Sequence, residues 1–266
     1  MEDIKYKKQF GQNFIYDTNL LKAIVCDAEI TSDDEVLEIG VGAATLTKCL
    51  CEKAKKVVCY EIDESLRERI YENLKDYSNF QINFKDIMLA NADEINNKFN
   101  DKFKIVANLP YYITSPIIFK FLEEDYNLDS LTIMVQKEVA DRICSKENCK
   151  DYGILSVMIA SRADAKIVRQ INRKMFTPVP NVDSSLVNIK INKNKFGIKN
   201  ISIFREFIKN CFSMRRKTLM NNLKGFCQKE KLEECLNNFN FPLNVRSEQL
   251  SVENLVMLYK NLFEQN

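Results

Sequence analysis

A chain of 266 residues, 45% hydrophobic and 29% charged, suits a globular protein of one large and one small domain, and no stretch approaches the ~18 apolar residues of a membrane span. It contains no histidine, which excludes Ser–His and Cys–His couples, His-ligated metal and an imidazole base. The net charge of +2 hides an asymmetry: residues 193–231 carry eleven Lys and Arg against Glu206 and Glu230, an excess of nine that suggests a polyanionic partner.

Strands and helices alternate through the first two-thirds. Glu35–Ile39 reads as a buried strand and Thr45–Ala54 as a helix; Lys56–Tyr60 is a strand, followed by a helix over about Glu64–Lys75. Phe80–Lys85, Phe103–Ala107 and Leu131–Val135 continue the strands, with helices at Pro116–Leu122, from Lys137, and at Ile154–Ser161. Lys166–Ile171 and Ser185–Ile191 are two late strands joined by the proline-rich Phe176-Thr-Pro-Val-Pro. Such alternation predicts a parallel sheet covered on both faces, and the short last connection predicts a final antiparallel strand.

After about Lys193 the strand signal stops. Ile201–Phe212, Leu219–Phe226, Lys231–Phe239 and Val252–Phe263 show helical spacing, the last with Ser251 as N-cap. The chain therefore divides into an α/β domain over residues 1–194 and an all-helical domain over 195–266. The first residues lack the apolar core of a signal peptide, and nine cysteines read as reduced thiols in a cytoplasmic protein. Cys49-x-Cys51 and Cys144-x₄-Cys149 match no familiar zinc pattern and are expected to be packing residues.

The chemistry concentrates at strand ends. Val36-Leu37-Glu38-Ile39-Gly40-Val41-Gly42 is a strand running into a glycine turn, where a ligand can approach the backbone closely. Glu61, 21 residues after Gly40 and at the end of the next strand, is placed to accept hydrogen bonds from ribose hydroxyls. Its bland alternative is a helix cap, a job Asp63 could do. Asp86 follows the third strand, and Asn108-Leu109-Pro110-Tyr111 follows the fourth. An amide, a fixed backbone and an aromatic face at one point suit a flat base with an exocyclic amine. A dehydrogenase would need a pyrophosphate seat, and the third glycine of a dinucleotide fingerprint is absent, so an S-adenosylmethionine site is favoured.

Six motifs in one order carry a more specific resemblance. They are Lys8–Phe14, the Gly40 turn, Asn108–Pro116, Gln136–Ile143, Phe176–Ser185 and Arg215–Leu219. Together they resemble the small-subunit ribosomal RNA dimethyladenosine transferases. The resemblance implies a class I methyltransferase fold, Rossmann-like with a seven-stranded, mostly parallel sheet, and a small helical RNA-binding domain. It implies N6,N6-dimethylation of two adjacent adenosines near the 3′ end of 16S rRNA in the immature 30S particle, by a monomer needing no metal. Asn13 and Ile15 would contact the cofactor from an N-terminal arm, with Gly40 at its methionine, Glu61 at its ribose, Asp86 at its adenine and Asn108 at the methyl donor.

Asn108 and the Leu109 carbonyl would accept hydrogen bonds from the target amine, and Pro110 would hold that carbonyl in place. Tyr111 would stack on the base, with Phe176 a candidate for the other face. Lys137, Arg142, Arg215, Arg216 and Lys217 would meet RNA phosphates. The chain departs from the family pattern in reading Gly-Val-Gly-Ala-Ala rather than Gly-Pro-Gly-x-Gly, in having Tyr at 112 where Asn is frequent, and in Ser145–Cys149 where Pro-Gly is usual. The alternatives are a large-subunit (23S) rRNA methyltransferase conferring antibiotic resistance, disfavoured by the 136–143 and 215–219 motifs, and a non-catalytic RNA-binding assembly factor, disfavoured by the intact strand-end residues.

Overall fold

A computed structural model describes residues 13–264; the Lys8–Gln12 part of the first motif lies outside them. Among the described residues nine strands occur: β1 (Phe14–Ile15), β2 (Glu35–Ile39), β3 (Lys56–Glu61), β4 (Phe80–Phe84), β5 (Phe103–Asn108), β6 (Leu128–Gln136), β7 (Ala163–Ile171), β8 (Phe176–Thr177) and β9 (Ser184–Ile191). Seven form one sheet in the order β4-β3-β2-β5-β6-β9-β7. β2 pairs in parallel with both β3 and β5, β3 with β4, and β5 with β6, while β9 runs antiparallel to β6. The expected α/β sheet with an antiparallel late strand is what the chain forms.

β2 and its neighbours are buried on both faces, which explains their near-continuous apolar runs. The chain turns outward from β2 in opposite directions, through β3 to β4 and through β5 to β6. The crevice of an open α/β sheet forms at such a reversal, beyond the carboxyl ends of the strands. Against one face pack Leu21, Ile24 and Val25 of the helix Thr18–Asp27 and Leu46 and Leu50 of the helix Thr45–Cys51, meeting Val36, Val57, Cys59 and Val106. Side chains alternate along a strand, so Glu38 shares that face with Val36, Glu61 with Cys59, and Asn108 with Val106.

The helix Thr18–Asp27, capped by Asp17, was absent from the sequence reading, as were the short strands β1 and β8. The chain divides into two compact units, one of residues 1–140 and 166–191, the other of 141–165 and 192–266. The helical unit thus takes in Asp141–Ala165, including the helix Ile154–Ala160, besides the residues after Ile191.

Within the helical unit, Phe204 and Phe207 of the helix Ile201–Cys211 meet Tyr259 and Phe263 of the helix Val252–Phe263, with ring centroids 5.0–5.9 Å apart. Ser251 caps the latter helix as expected. The helix expected over Leu219–Phe226 stops at Asn222, because Gly225 takes a left-handed conformation and Lys224 bridges to Cys227. No helix among the described residues is long and apolar enough to cross a membrane. Cys49 and Cys51 are buried as expected, whereas Cys149 is exposed in the loop before Gly153 and packs no core.

Candidate active site

A cleft of about 1050 Å³, its open mouth included, lies at the carboxyl ends of β2, β3, β4 and β5. Asn13, Ile15, Gly40, Glu61, Asp86, Asn108, Leu109 and Pro110 all line it, so the cofactor residues expected from sequence share one cleft.

The glycine turn has left-handed backbone at three alternate positions: Gly40 (φ +79°), Gly42 (φ +57°) and Ala44 (φ +59°). Ala44 stands where the family pattern has its third glycine, and its methyl group is fully buried. Gly42 carries a second requirement. A Cβ there would lie 2.6 Å from the Phe14 ring, so the absence of a side chain is what lets β1 lie on the turn.

Glu61 is 5% exposed. Its Oε2 accepts from the Gly42 N–H at 2.9 Å and its Oε1 from the Asp63 N–H at 2.8 Å. Burial raises its pKa against the lowering effect of those two donors. The capping role belongs to Asp63, whose Oδ1 accepts from the Ser65 N–H, and Glu61 instead ties the turn after β2 to the end of β3. Asp86 caps the short 3₁₀ turn Ile87–Leu89 through the Met88 N–H at 2.9 Å.

Asn108 donates from Nδ2 to the Asn13 carbonyl at 2.7 Å. A backbone carbonyl can only accept, so this contact fixes which end of the amide is nitrogen and leaves Oδ1 as an acceptor. Two further contacts hold the arm: Thr45 donates to the Ile15 carbonyl at 2.9 Å, and β1 pairs antiparallel with β8 in the register Ile15↔Phe176.

The expected aromatic sandwich is not assembled in this arrangement. Phe176 is 1% exposed and sits in the hydrophobic core on β8, paired beside β1 and not lining the cleft. Tyr111 is half-buried, and its hydroxyl lies 2.9 Å from Ser184 Oγ. Tyr112 lines the cleft instead. The cause is local: Tyr111–Ile113 forms a 3₁₀ turn closed on the Pro110 carbonyl by the Ile113 N–H, which sends successive side chains to different sides.

Glu38 is a buried carboxylate of the cleft that is not among the site residues expected from sequence. It is 1% exposed, its Oε1 has no hydrogen-bond partner among the described residues, and burial pushes its carboxyl up to about 8, countered by Thr47 and Cys59. The signal was available: a carboxylate inside a central parallel strand, flanked by Leu37 and Ile39, is rare without a purpose.

Of the expected RNA contacts, Lys137 and Arg142 are exposed on the helix Lys137–Ile143. Arg215, Arg216 and Lys217 are exposed on the turn between the helices Ile201–Cys211 and Leu219–Asn222. Asn222 holds that turn by donating to the Cys211 carbonyl at 2.6 Å and the Met214 carbonyl at 3.2 Å. Not all of the local excess charge is free. Lys195 pairs with Asp164, Lys229 with Glu233, and Lys231 donates to the Leu262 carbonyl.

The sequence profile of the ribosomal RNA adenine dimethylase family matches residues 4–263. A Clostridium acetobutylicum protein named ribosomal RNA small subunit methyltransferase A is 41% identical over 263 residues, covering 98% of this chain and 95% of its own. A Clostridioides difficile protein of the same name is 41% identical over 261 residues, covering 96% and 90%. Among solved structures, a dimethyladenosine transferase from Plasmodium falciparum superposes with a TM-score of 0.79 at 26% identity, covering 92% of this chain and 95% of that one. The 23S rRNA methyltransferase ErmE superposes at 0.72 with 25% identity, covering 95% and 100%.

Proposed function

The chain belongs to the ribosomal RNA adenine dimethylase family, and from that premise we propose that it dimethylates N6 of two adjacent adenosines near the 3′ end of 16S rRNA in the immature 30S particle. It is an rRNA methyltransferase that uses S-adenosylmethionine. The observation that carries the base chemistry is the oriented amide of Asn108, its nitrogen committed to Asn13 and its oxygen left to accept at the cleft.

The cleft fits the cofactor on its own chemistry. Gly40 leaves backbone open at the turn, Glu61 and Asp86 offer carboxylate acceptors, and Glu38 presents an oxygen unpartnered among the described residues. S-adenosylmethionine supplies a methyl group already activated on sulfur, so no metal is called for. Asn13, Ile15, Gly40, Glu61, Asp86 and Asn108 would hold it.

The N6 lone pair of adenine is delocalised into the ring and is a poor nucleophile. Hydrogen bonds from the amine to Asn108 Oδ1 and the Leu109 carbonyl favour a pyramidal nitrogen whose lone pair is localised, with Pro110 helping to hold that carbonyl in place. The proton that N6 loses on alkylation is acidic and leaves to water, in keeping with a chain that lacks histidine. The base must leave any stack to reach the cleft. Tyr111 would stack on the base once its hydroxyl leaves Ser184, whereas Phe176 is kept in the core by the same β1 arm that carries Ile15. Lys137, Arg142, Arg215, Arg216 and Lys217 would meet phosphates, reading shape rather than sequence.

Action on the small subunit is supported by relatives of that name at 41% identity along nearly the whole chain, against 25% for the 23S enzyme. A cytoplasmic monomer goes with this reading. Incubating the protein and labelled cofactor with unmethylated small subunits, and separately with large ones, tests it by mass spectrometry of the adenosines. N6,N6-dimethyladenosine at two neighbouring positions of the small subunit is expected. Label confined to large subunits, or none with a cofactor-binding protein, overturns it.

A further inference from the structure

The two tyrosines of the 3₁₀ turn Tyr111–Ile113 have opposite surroundings. Tyr111 is half-buried with its hydroxyl against Ser184, whereas Tyr112 lines the cleft and is still 63% exposed. Tyr112 also has company. Ile62, another lining residue, is 49% exposed. Large apolar side chains left open on the lining of a cleft mark a surface meant to be covered.

We propose that Tyr112 is the stacking platform for the nucleotide adjoining the adenosine undergoing methylation. This rests on the function proposed above. The target base enters the cleft with its amine at Asn108, so the polynucleotide on either side of it must leave through the mouth, where Tyr112 stands. A base next to an extruded one has lost a stacking neighbour, and an exposed aromatic ring replaces that face without regard to sequence. When two adjacent adenosines are substrates, the base on Tyr112 is the other adenosine for one of the two, and its purine offers a broad face to the ring. Rim and cleft then share the work: Asn108 holds the reacting amine, and Tyr112 holds the chain in register for it.

The test is a series at one exposed position, Tyr112→Phe, Tyr112→Leu and Tyr112→Ala, assayed on unmethylated small subunits with S-adenosylmethionine affinity measured by calorimetry. Phe keeps the ring and should leave KM for the particle within about twofold of wild type. Leu and Ala should raise it roughly tenfold, the loss expected for one base on one ring. Cofactor affinity should stay within about twofold throughout, which also reports that each variant is folded. If Leu matches Phe, apolar bulk suffices and stacking is wrong. If cofactor affinity falls in step with KM, Tyr112 is a wall of the cofactor site and the proposal fails. Wild-type methylation of the small subunit is the control that belongs to the proposed function alone, so the two failures are distinguishable.

Discussion

The sheet unit and the helical unit use charge in opposite ways. In the first, Glu38 and Glu61 are 1% and 5% exposed, placed by strand ends and aimed into a cleft. In the second, Arg215, Arg216 and Lys217 stand open on a turn fixed from beneath by Asn222. Buried carboxylates are costly unless each meets a partner, so they suit one small ligand in one pose. Exposed cations are individually weak and screened by salt, and they suit a polyanion that can be met in many ways. Losses in the sheet unit should therefore be large and specific, and losses in the helical unit graded.

Asn108→Ala offers the severest test. If its oxygen accepts from N6 as that nitrogen becomes tetrahedral, kcat should fall roughly a hundredfold or more, with RNA affinity little changed. Wild-type turnover under saturating cofactor would refute the role. Asn108→Asp sharpens the point: it keeps an acceptor but loses the N–H to Asn13, so any activity it retains measures how much the arm contact matters.

Glu38→Gln should show itself through pH. A carboxyl at about 8 in the folded chain against a usual 4.5 holds its proton while the unfolded chain has lost it. Wild-type stability then falls as pH rises from about 4.5 to about 8, by at most ~1.4 kcal/mol per pH unit, and levels off above. The glutamine variant lacks this slope and should gain on wild type across that window. Parallel stability profiles in denaturant titrations at pH 5 to 8 would show that Glu38 is ionised in the fold.

Glu61→Ala should weaken S-adenosylmethionine binding by on the order of 1.5–3 kcal/mol, the range for hydrogen bonds to a charged group. Because its oxygens hold the Gly42 and Asp63 N–H groups, thermal stability should drop as well. Unchanged cofactor affinity in calorimetry, with the fold intact, would remove Glu61 from the site. The smallest effect belongs to the helical unit. Replacing Arg215, Arg216 and Lys217 together with Gln should reduce the log–log salt slope of RNA binding by roughly 2, from ~0.7 per contact on single strands. An unaltered slope would make them a solvated face and shift attention to Lys137 and Arg142.

The strand-end residues were legible because parallel strands end at one edge: Gly40, Glu61, Asp86 and Asn108 each follow an apolar run, and the fold brings them together. What stayed hidden depends on contacts between distant segments. β1 and β8 are two residues each, too short for any periodicity, and they exist only by pairing with one another. That pairing buries Phe176, so an aromatic that reads as a free face in the sequence becomes core. Tyr111 and Tyr112 are adjacent and alike, and only the 3₁₀ geometry separates the half-buried ring from the open one. The division of the helical unit was hidden for a similar reason, since Asp141–Ala165 joins it by packing and not by sequence.

Ala44 holds a left-handed backbone that glycine would adopt freely, at a strain of roughly 1–2 kcal/mol for an L-residue. Its buried methyl group returns part of that through packing, at about 0.8 kcal/mol per buried carbon. Glycine and alanine at this position are therefore close to isoenergetic, and a lineage can drift between them with the turn unmoved. The pattern of alternate glycines is best understood as a rule about dihedral angles, which residue identity satisfies only on average. Searches for such turns gain by scoring the angle each residue tolerates at the third position while keeping glycine strict at the second, where Phe14 leaves no room for a methyl group.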